Sequence, residues 1–232
     1  LLTEENGLPT NEILSVLCDR EGNIWLGTKK GLAKIRNLAF GQFSSTDDLD
    51  IYPAHIFRDS EGVLCVANEA GGVLLYNGYG FEKAFNDPDL NDHQISSIAE
   101  DGDGNLWFGT MDFGGLFQWT GEKLYVYSDE FGMADNNINC LLQDDNGDLL
   151  IGTPSGLSVF DGLDFRIIYL SDEMASNHIT ALHVDEDGDT YVGALDGYID
   201  RIDGQGANKV LPAEGIDTPI TAITSRAGRP LT

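Results

Sequence analysis

The 232-residue chain is poor in positive charge, in proline and in cysteine. Lys and Arg number 13 against 39 Asp and Glu, for a formal net charge of -26. Such a surface repels phosphate backbones, so direct nucleic-acid binding is not expected, and solubility is the plain reading of the acidity. Only 7 prolines accompany 28 glycines. That balance speaks for many tight turns and against a disordered or collagen-like chain. The three cysteines, Cys18, Cys65 and Cys140, match no zinc spacing and no evident disulfide framework. They read as small buried apolar residues, with at least one free thiol. No apolar run reaches the roughly 18 residues of a membrane span, so no direct membrane insertion is expected of this segment. No basic-then-apolar leader is visible. The chain opens at Leu1-Leu2-Thr3, without an initiator Met, so any targeting segment would lie outside it.

What is present is repetition. The glycines that close acidic turns, Gly22, Gly62, Gly104, Gly147, Gly188 and Gly228, step by 40, 42, 43, 41 and 40 residues. An Asp precedes five of them: Asp19, Asp59, Asp101, Asp144 and Asp185. A Gly or Ala follows each apolar run (Gly27, Ala67, Gly109, Gly152, Gly193), and a further Gly opens the next (Gly31, Gly72, Gly115, Gly156, Gly197). The third unit shows the local logic. "QISSIAE", "NLWFGT", "GLFQWT" and "KLYVYS" are short and apolar-rich and read as strands, with "DGDG" as the first turn. Thr120-Gly121, Asn77-Gly78, Asp161-Gly162 and Asp203-Gly204 are hairpin signals between the third and fourth strands. No segment carries helical periodicity over enough length to compete.

Four short strands per unit of 40 to 43 residues predict an all-β chain. The expected fold is a β-propeller of four-stranded antiparallel blades, five complete plus an incomplete sixth. The expected blade repeats are 10–50, 51–90, 91–135, 136–175 and 176–216, with a partial blade from 217–232 and 1–5. Either both termini close a ring, or the array stays open. Leu14, Val16, Ile56, Ile98, Leu141, Leu182 and Ile223 fall in equivalent first strands. Trp25, Trp107 and Tyr191 share one second-strand position, which suits packing between blades better than ligand stacking.

The units resemble the two-component regulator propeller repeat of bacterial sensor proteins. "NGLPTNEILSVLCDREGNIWLGTKKGLAKI" (6–35) matches that pattern nearly throughout. The third and fourth units match well, the fifth is a variant, and the second departs most, with "VLCVANEAGG" in place of L-W-x-G-T. The resemblance implies a periplasmic or otherwise extracytoplasmic sensor region in a signal-transduction protein. Its output would be a kinase, a cyclase or a DNA-binding region of the same parent chain, and carbohydrate is an implied ligand class. The matched motif belongs to the scaffold, so no ligand-contact residue carries over.

In a propeller the first strand lines the central channel, and loops on the rigid scaffold carry binding. The second-to-third loops are longer in unit two ("NEAGG") and unit three ("MDFGG") than in the others. These loops and the nearby crossovers give the ligand-binding candidates Glu69, Met111, Asp112, Phe113, His93, Asn136, Asn137, His178, Lys29 and Lys30, with Tyr52 beside them. A polar site with an aromatic edge suits an oligosaccharide or a peptide; ordinary drift in loop length explains the same pattern. His55 aligns with Ser15, Ser97, Cys140 and Ala181 and is a candidate for the channel wall, while His183 reads as a packed strand residue. The turns "DREG", "DSEG", "DGDG", "DDNG" and "DEDG" lack the calcium-loop order and read as self-capped turns. No cofactor, metal site or catalytic residue is expected. The leading reading is a non-catalytic ligand-sensing or interaction propeller. A metal-dependent lyase or hydrolase on the same fold, and a pure protein–protein platform, are the alternatives.

Overall fold

The computed structural model describes residues 3–4, 8–19, 22–36, 39–43, 49–85, 87–168, 177–203, 206–211 and 218–223. Among the described residues twenty strands form five sheets, each in plain sequential order, making an all-β propeller. The first sheet is β1 (Ile13–Cys18), β2 (Ile24–Thr28), β3 (Gly31–Arg36) and β4 (Ala39–Phe43). The second is β5 (Pro53–Arg58), β6 (Leu64–Asn68), β7 (Val73–Tyr76) and β8 (Phe81–Lys83). The third is β9 (Ile95–Glu100), β10 (Leu106–Thr110), β11 (Leu116–Trp119) and β12 (Leu124–Tyr127). The fourth is β13 (Cys140–Gln143), β14 (Leu149–Thr153), β15 (Gly156–Phe160) and β16 (Phe165–Ile168). The fifth is β17 (Ile179–Val184), β18 (Thr190–Ala194), β19 (Ile199–Asp203) and β20 (Gly206–Leu211). The chain divides into two compact units, Leu1–Glu100 and Asp101–Thr232. The division falls in the first turn of the third sheet.

Each sheet is apolar on both faces, so it must be covered on both. The landmark glycine after the second strand shows how the next sheet is admitted. In the first unit Ile56 Cδ1 stands 3.4 Å from the place a side chain on Gly27 would occupy. In the second unit Ile179 and Ile220 crowd Gly152 and Gly193 in the same way. Thr180 Oγ1 donates to Ile220 O (2.6 Å), and Ile220 N donates to Ala194 O (3.1 Å). Residues 218–223 thus dock on the fifth sheet as the expected sixth first strand would, yet they form no strand. A β-ladder needs a hydrogen-bonded partner, and no described residue supplies one. Gly228, Gly204, Leu1 and Leu2, which entered the sixth-blade and hairpin expectations, lie outside the described residues.

The acidic turns are built alike. Each Asp accepts the backbone N–H four residues on: Asn23, Val63, Asn105, Asp148 and Asp189, at 2.7 to 3.0 Å. Each closing glycine has φ between +78° and +93°, a region that L side chains resist. Where the second strand carries tryptophan, the same carboxylate also holds the indole. Trp25 Nε1 donates to Asp19 Oδ2 (2.9 Å), and Trp107 Nε1 donates to Asp101 Oδ2 (2.8 Å). Burial alone would raise the Asp19 pKa, but the Asn23 and Trp25 donors outweigh it and the net shift is downward. Both indoles are 1% exposed. Trp25 packs on Phe43 of its own sheet and on Tyr76 and Phe81 of the next, at ring centroid distances of 4.9 to 6.0 Å. Trp107 packs on Tyr127 and on Phe160 of the next sheet, at 5.7 and 5.5 Å. The packing role expected of these aromatics is therefore what they perform.

Two expectations are corrected. Val16 is 64% exposed and Leu14 and Cys18 are exposed, whereas the equivalent Ile56 and Ile98 are buried. No described residue packs on that face of β1. A one-turn helix, α1 (Pro88–Asn91), follows β8 in the chain, caps on Asp87 and buries Leu90. One turn is too short to show a period, although the Asp-Pro start is a helix signal. His55, the candidate for the channel wall, is tied to the neighbouring first strand: its Nδ1 accepts the N–H of Ile98 on β9 (3.1 Å).

Removing the Asp101 carboxylate leaves the Trp107 and Asn105 donors without their acceptor. Asp101→Ala is expected to cost about 2–3 kcal/mol in urea unfolding. Asp103→Ala, in the same turn but exposed, is expected to stay within about 0.5 kcal/mol. Equal effects would refute the carboxylate–indole lock.

Candidate functional site

The second-to-third turn of the first sheet is stapled by its closing threonine, whose hydroxyl donates to the next landmark carbonyl (Thr28 to Gly31, 2.7 Å). Thr153 does the same to Gly156 in the fourth sheet (2.8 Å). These short turns leave little room for a ligand. In the second sheet Asn68 replaces the threonine. Its side chain, 1% exposed, accepts from Tyr52 N (2.7 Å) and donates to Asp50 O and Gly71 O. Gly71 and Gly72 have φ of +108° and +74°, and a side chain on either would collide with Asn91. Gly72 N donates to His93 O (3.0 Å). The extra residue of "NEAGG" is thus used to seat the crossover that follows α1.

The charged candidates of this first unit are held loosely. Lys29 Nζ pairs with Glu12 Oε1 (2.6 Å) at the surface. That hydrogen bond and charge, and Glu69 nearby, raise the Lys29 pKa. Lys30 is exposed, and Glu69 gives its backbone N–H to Tyr52 O (2.8 Å).

The loop "MDFGG" of the third sheet, in the second compact unit, is different. Phe113 has φ of +65°, the one described non-glycine residue in the left-handed region, and its ring is 74% exposed. Its N–H donates to Asn137 Oδ1 (3.0 Å). Met111 is also exposed, while Asp112 is half-buried. Asn137 N is fixed by Asp135 Oδ1 (2.9 Å), and Asp135 Oδ2 accepts from Ser155 Oγ (2.6 Å). Asn136 sits on the other side of the crossover. It bonds Asp129 twice, receiving Asp129 N (2.7 Å) and donating to Asp129 Oδ1 (3.0 Å), while its carbonyl receives Gly115 N (3.2 Å). Met111, Phe113, Asn136 and Asn137 therefore come together around one turn. His178 lies elsewhere in this unit, where its carbonyl receives Leu195 N (2.9 Å). His183 is half-buried in β17 opposite Tyr191. Among the described residues no three His, Cys, Asp or Glu side chains gather as a metal-binding group. Burial pushes the Cys65 and Cys140 thiols up to about 12.

Attention to the loop end misses a second feature. A cleft of about 460 Å³ opens at the end of the second unit that carries the acidic turns. It lies between the third and fourth sheets, over Trp107 and Phe160, with Asp101, Asp103, Gln118 and Gln143 among its walls. The sequence signal for it is the residue opposite the repeat tryptophan, a position obscured by attention to loop length.

Comparison with known proteins follows this geometry. Residues 7–30, 89–112 and 132–155 match the family model "Two component regulator propeller". These are the first, third and fourth units, the ones whose motif is most regular. A search of curated proteins gives no match. Among solved structures, the extracellular domain designated hybrid two component system BT3049 from B. thetaiotaomicron superposes with a TM-score of 0.75 at 22% identity. The alignment covers 87% of this chain and 29% of that one. The extracellular domain designated one component system BT4673 from B. thetaiotaomicron gives 0.76 at 20% identity, covering 88% and 31%. A catalytically inactive virginiamycin B lyase from Staphylococcus aureus gives 0.75 at 12% identity, covering 94% and 75%. This chain spans less than a third of the length of the two sensor-type neighbours. At these identities the likeness is one of fold.

Two measurements test the local readings. Burial pulls the His55 pKa from 6.5 down to about 4. Between those values the unfolded chain binds a proton that the folded chain refuses, so stability falls as pH drops from 6.5 to 4, by at most about 3 kcal/mol. In His55→Asn, whose Oδ1 can replace Nδ1 as acceptor, that part of the acid loss is expected to vanish; urea midpoints that respond identically to pH in both proteins would contradict it. Phe113→Gly is expected to stabilise by about 0.5–1 kcal/mol by relieving the left-handed backbone. Destabilisation would mean the ring packs rather than projects.

Proposed function

We propose that this chain, built of two component regulator propeller repeats, is the non-catalytic ligand-sensing region of an extracytoplasmic signal-transduction protein. Its ligand is an oligosaccharide, bound at the "MDFGG" turn. The observation that carries this reading is Phe113. A bulky aromatic held in a left-handed backbone and presented to solvent costs stability, and such strain marks binding sites more often than bare scaffold. The exposed ring offers a face for sugar C–H groups, and Asp112, Asn136 and Asn137 offer acceptors and donors for hydroxyls. The signal would pass to an output region of the same parent chain. No helix of the described residues is long and apolar enough to cross a membrane.

The platform reading differs in its ligand. Met111 and Phe113 together form a small apolar projection that also suits a peptide. The lyase-like fold supports a catalytic reading only at the level of architecture, because the same scaffold hosts unrelated functions.

A screen of oligosaccharides against peptides by thermal melting separates these readings. A true ligand at about 100-fold above its Kd adds about 2.7 kcal/mol, or roughly 5–10 °C for a chain of this size. The expected result is a shift with a saccharide that is lost in Phe113→Ala. A shift with peptides alone would replace the sugar by a peptide. A saccharide shift untouched by Phe113→Ala would move the site away from this turn.

A further inference from the structure

The cleft over Trp107 has a sister within the same chain, already filled. In register across the second and third strands, Trp25 stands opposite Lys34, Trp107 opposite Gln118, and Tyr191 opposite Arg201. Where the second-strand residue is not aromatic, its partner is not charged: Cys65 faces Leu75, and Leu150 faces Val159. The aromatic position therefore goes with a long polar side chain across the ladder.

In the first unit the arrangement is a cation cage. Lys34 Nζ lies 4.5 Å from the Trp25 ring centroid and 5.1 Å from that of Tyr76, well within cation–π range. Its charge reaches Asp19, the carboxylate that holds the indole. In the fifth sheet the cation is Arg201, whose Nε meets Asp189 Oδ2 at 3.2 Å and whose charge acts on Asp185. Both positions therefore carry a cation of the chain itself.

The third sheet repeats the cage residue by residue. Asp101, Asn105 and Trp107 correspond to Asp19, Asn23 and Trp25. Tyr127, Phe160 and Phe165 correspond to Phe43, Tyr76 and Phe81 through the strand pairings. The departure is at the charged position, where Gln118 replaces lysine. Its Oε1 accepts the Tyr127 hydroxyl (3.0 Å), which ties the carboxamide to the rim. Asp101, Asp103 and Asp161 line the cleft and no Lys or Arg does; Arg166 is engaged at 2.9 Å by Asp148 instead. A carboxylate and aromatic set that elsewhere in the chain encloses an intramolecular cation here faces an open space of about 460 Å³.

We infer that this cleft is a binding site for the ammonium group of a lysine side chain supplied by a peptide or protein partner. The ammonium would approach the Asp101 carboxylate and the half-buried Tyr127 ring, with the Gln118 carboxamide giving way over the buried Trp107 indole. A surface with a net charge of -26 would steer such a partner toward it. The site is independent of the sugar reading at the loop end.

The test is titration of the intact chain with Nα-acetyl-lysine methylamide at physiological salt, read on the 15N-indole resonances. Nα-acetyl-norleucine methylamide is the uncharged control. The Trp107 indole signal is expected to shift saturably, while that of Trp25 stays in place. Gln118→Lys supplies the missing cation and is expected to weaken the response about tenfold or more. Lys34→Gln empties the sister cage and is expected to make Trp25 respond as well. Because it does not touch the cleft, it carries the test even if Gln118→Lys fails to fold. The inference is overturned by an unmoved Trp107, by an equal response to norleucine, or by shifts that ignore both substitutions. Such indifference would mean diffuse attraction to an acidic surface.

Discussion

The close approach of one sheet to the next at a residue without a side chain is the constraint on which the rest depends. A four-stranded sheet with two apolar faces gains its stability only when both faces are covered. Gly27 and Gly152 let the first strand of the following sheet lie directly against the second strand of the preceding one, and Gly193 admits the segment 218–223 in the same way. Ile56, Ile179 and Ile220 occupy the space so released. Further out, the aromatic rings close the gap between sheets, and the turn aspartates fix the tryptophans that anchor those rings. A carboxylate that accepts a backbone amide and an indole N–H at once couples the turn to the core. Charge-assisted hydrogen bonds of this kind are among the stronger polar contacts a protein makes.

With the scaffold set by that repeat, the candidate sites lie at its departures. Two occur in the third repeat. At the loop end, two added residues push Phe113 into an unfavourable backbone region and hold it with the Asn137 side chain. At the turn end, a lysine or arginine is replaced by Gln118 and a cleft opens where the sister repeats are plugged. A scaffold that tolerates such changes without altering its sheets is well suited to acquiring ligands one loop or one side chain at a time.

Much of the architecture could be read in advance, because the landmarks are local and physical. Turn aspartates, positive-φ glycines and alternating apolar strands each announce themselves within a few residues, and all four strands of the third sheet lie where the motif put them. What could not be read depends on neighbours. That Val16 and Cys18 are exposed while Ile56 is buried follows from what covers each face, not from the strand itself. Alignment gives His55 its position in the strand, but its acceptor role toward Ile98 involves a residue 43 positions away. The irregularity in loop length led to the cluster around Phe113 and Asn137. The same rule flagged "NEAGG", where Asn68 and two glycines merely seat a crossover. The cleft at Gln118 stayed hidden because it is recognised by comparing cross-strand partners rather than loops.

The central claim is that the turn carboxylate and the indole form one buried unit in the first and third repeats. Hydrogen exchange of the Trp25 and Trp107 Nε1–H groups, followed by 15N NMR on the intact chain, tests it most directly. Both protons should exchange slowly, at rates that track unfolding of the sheets around them. Exchange at the rate of a free indole, with the strand amides still protected, would contradict it.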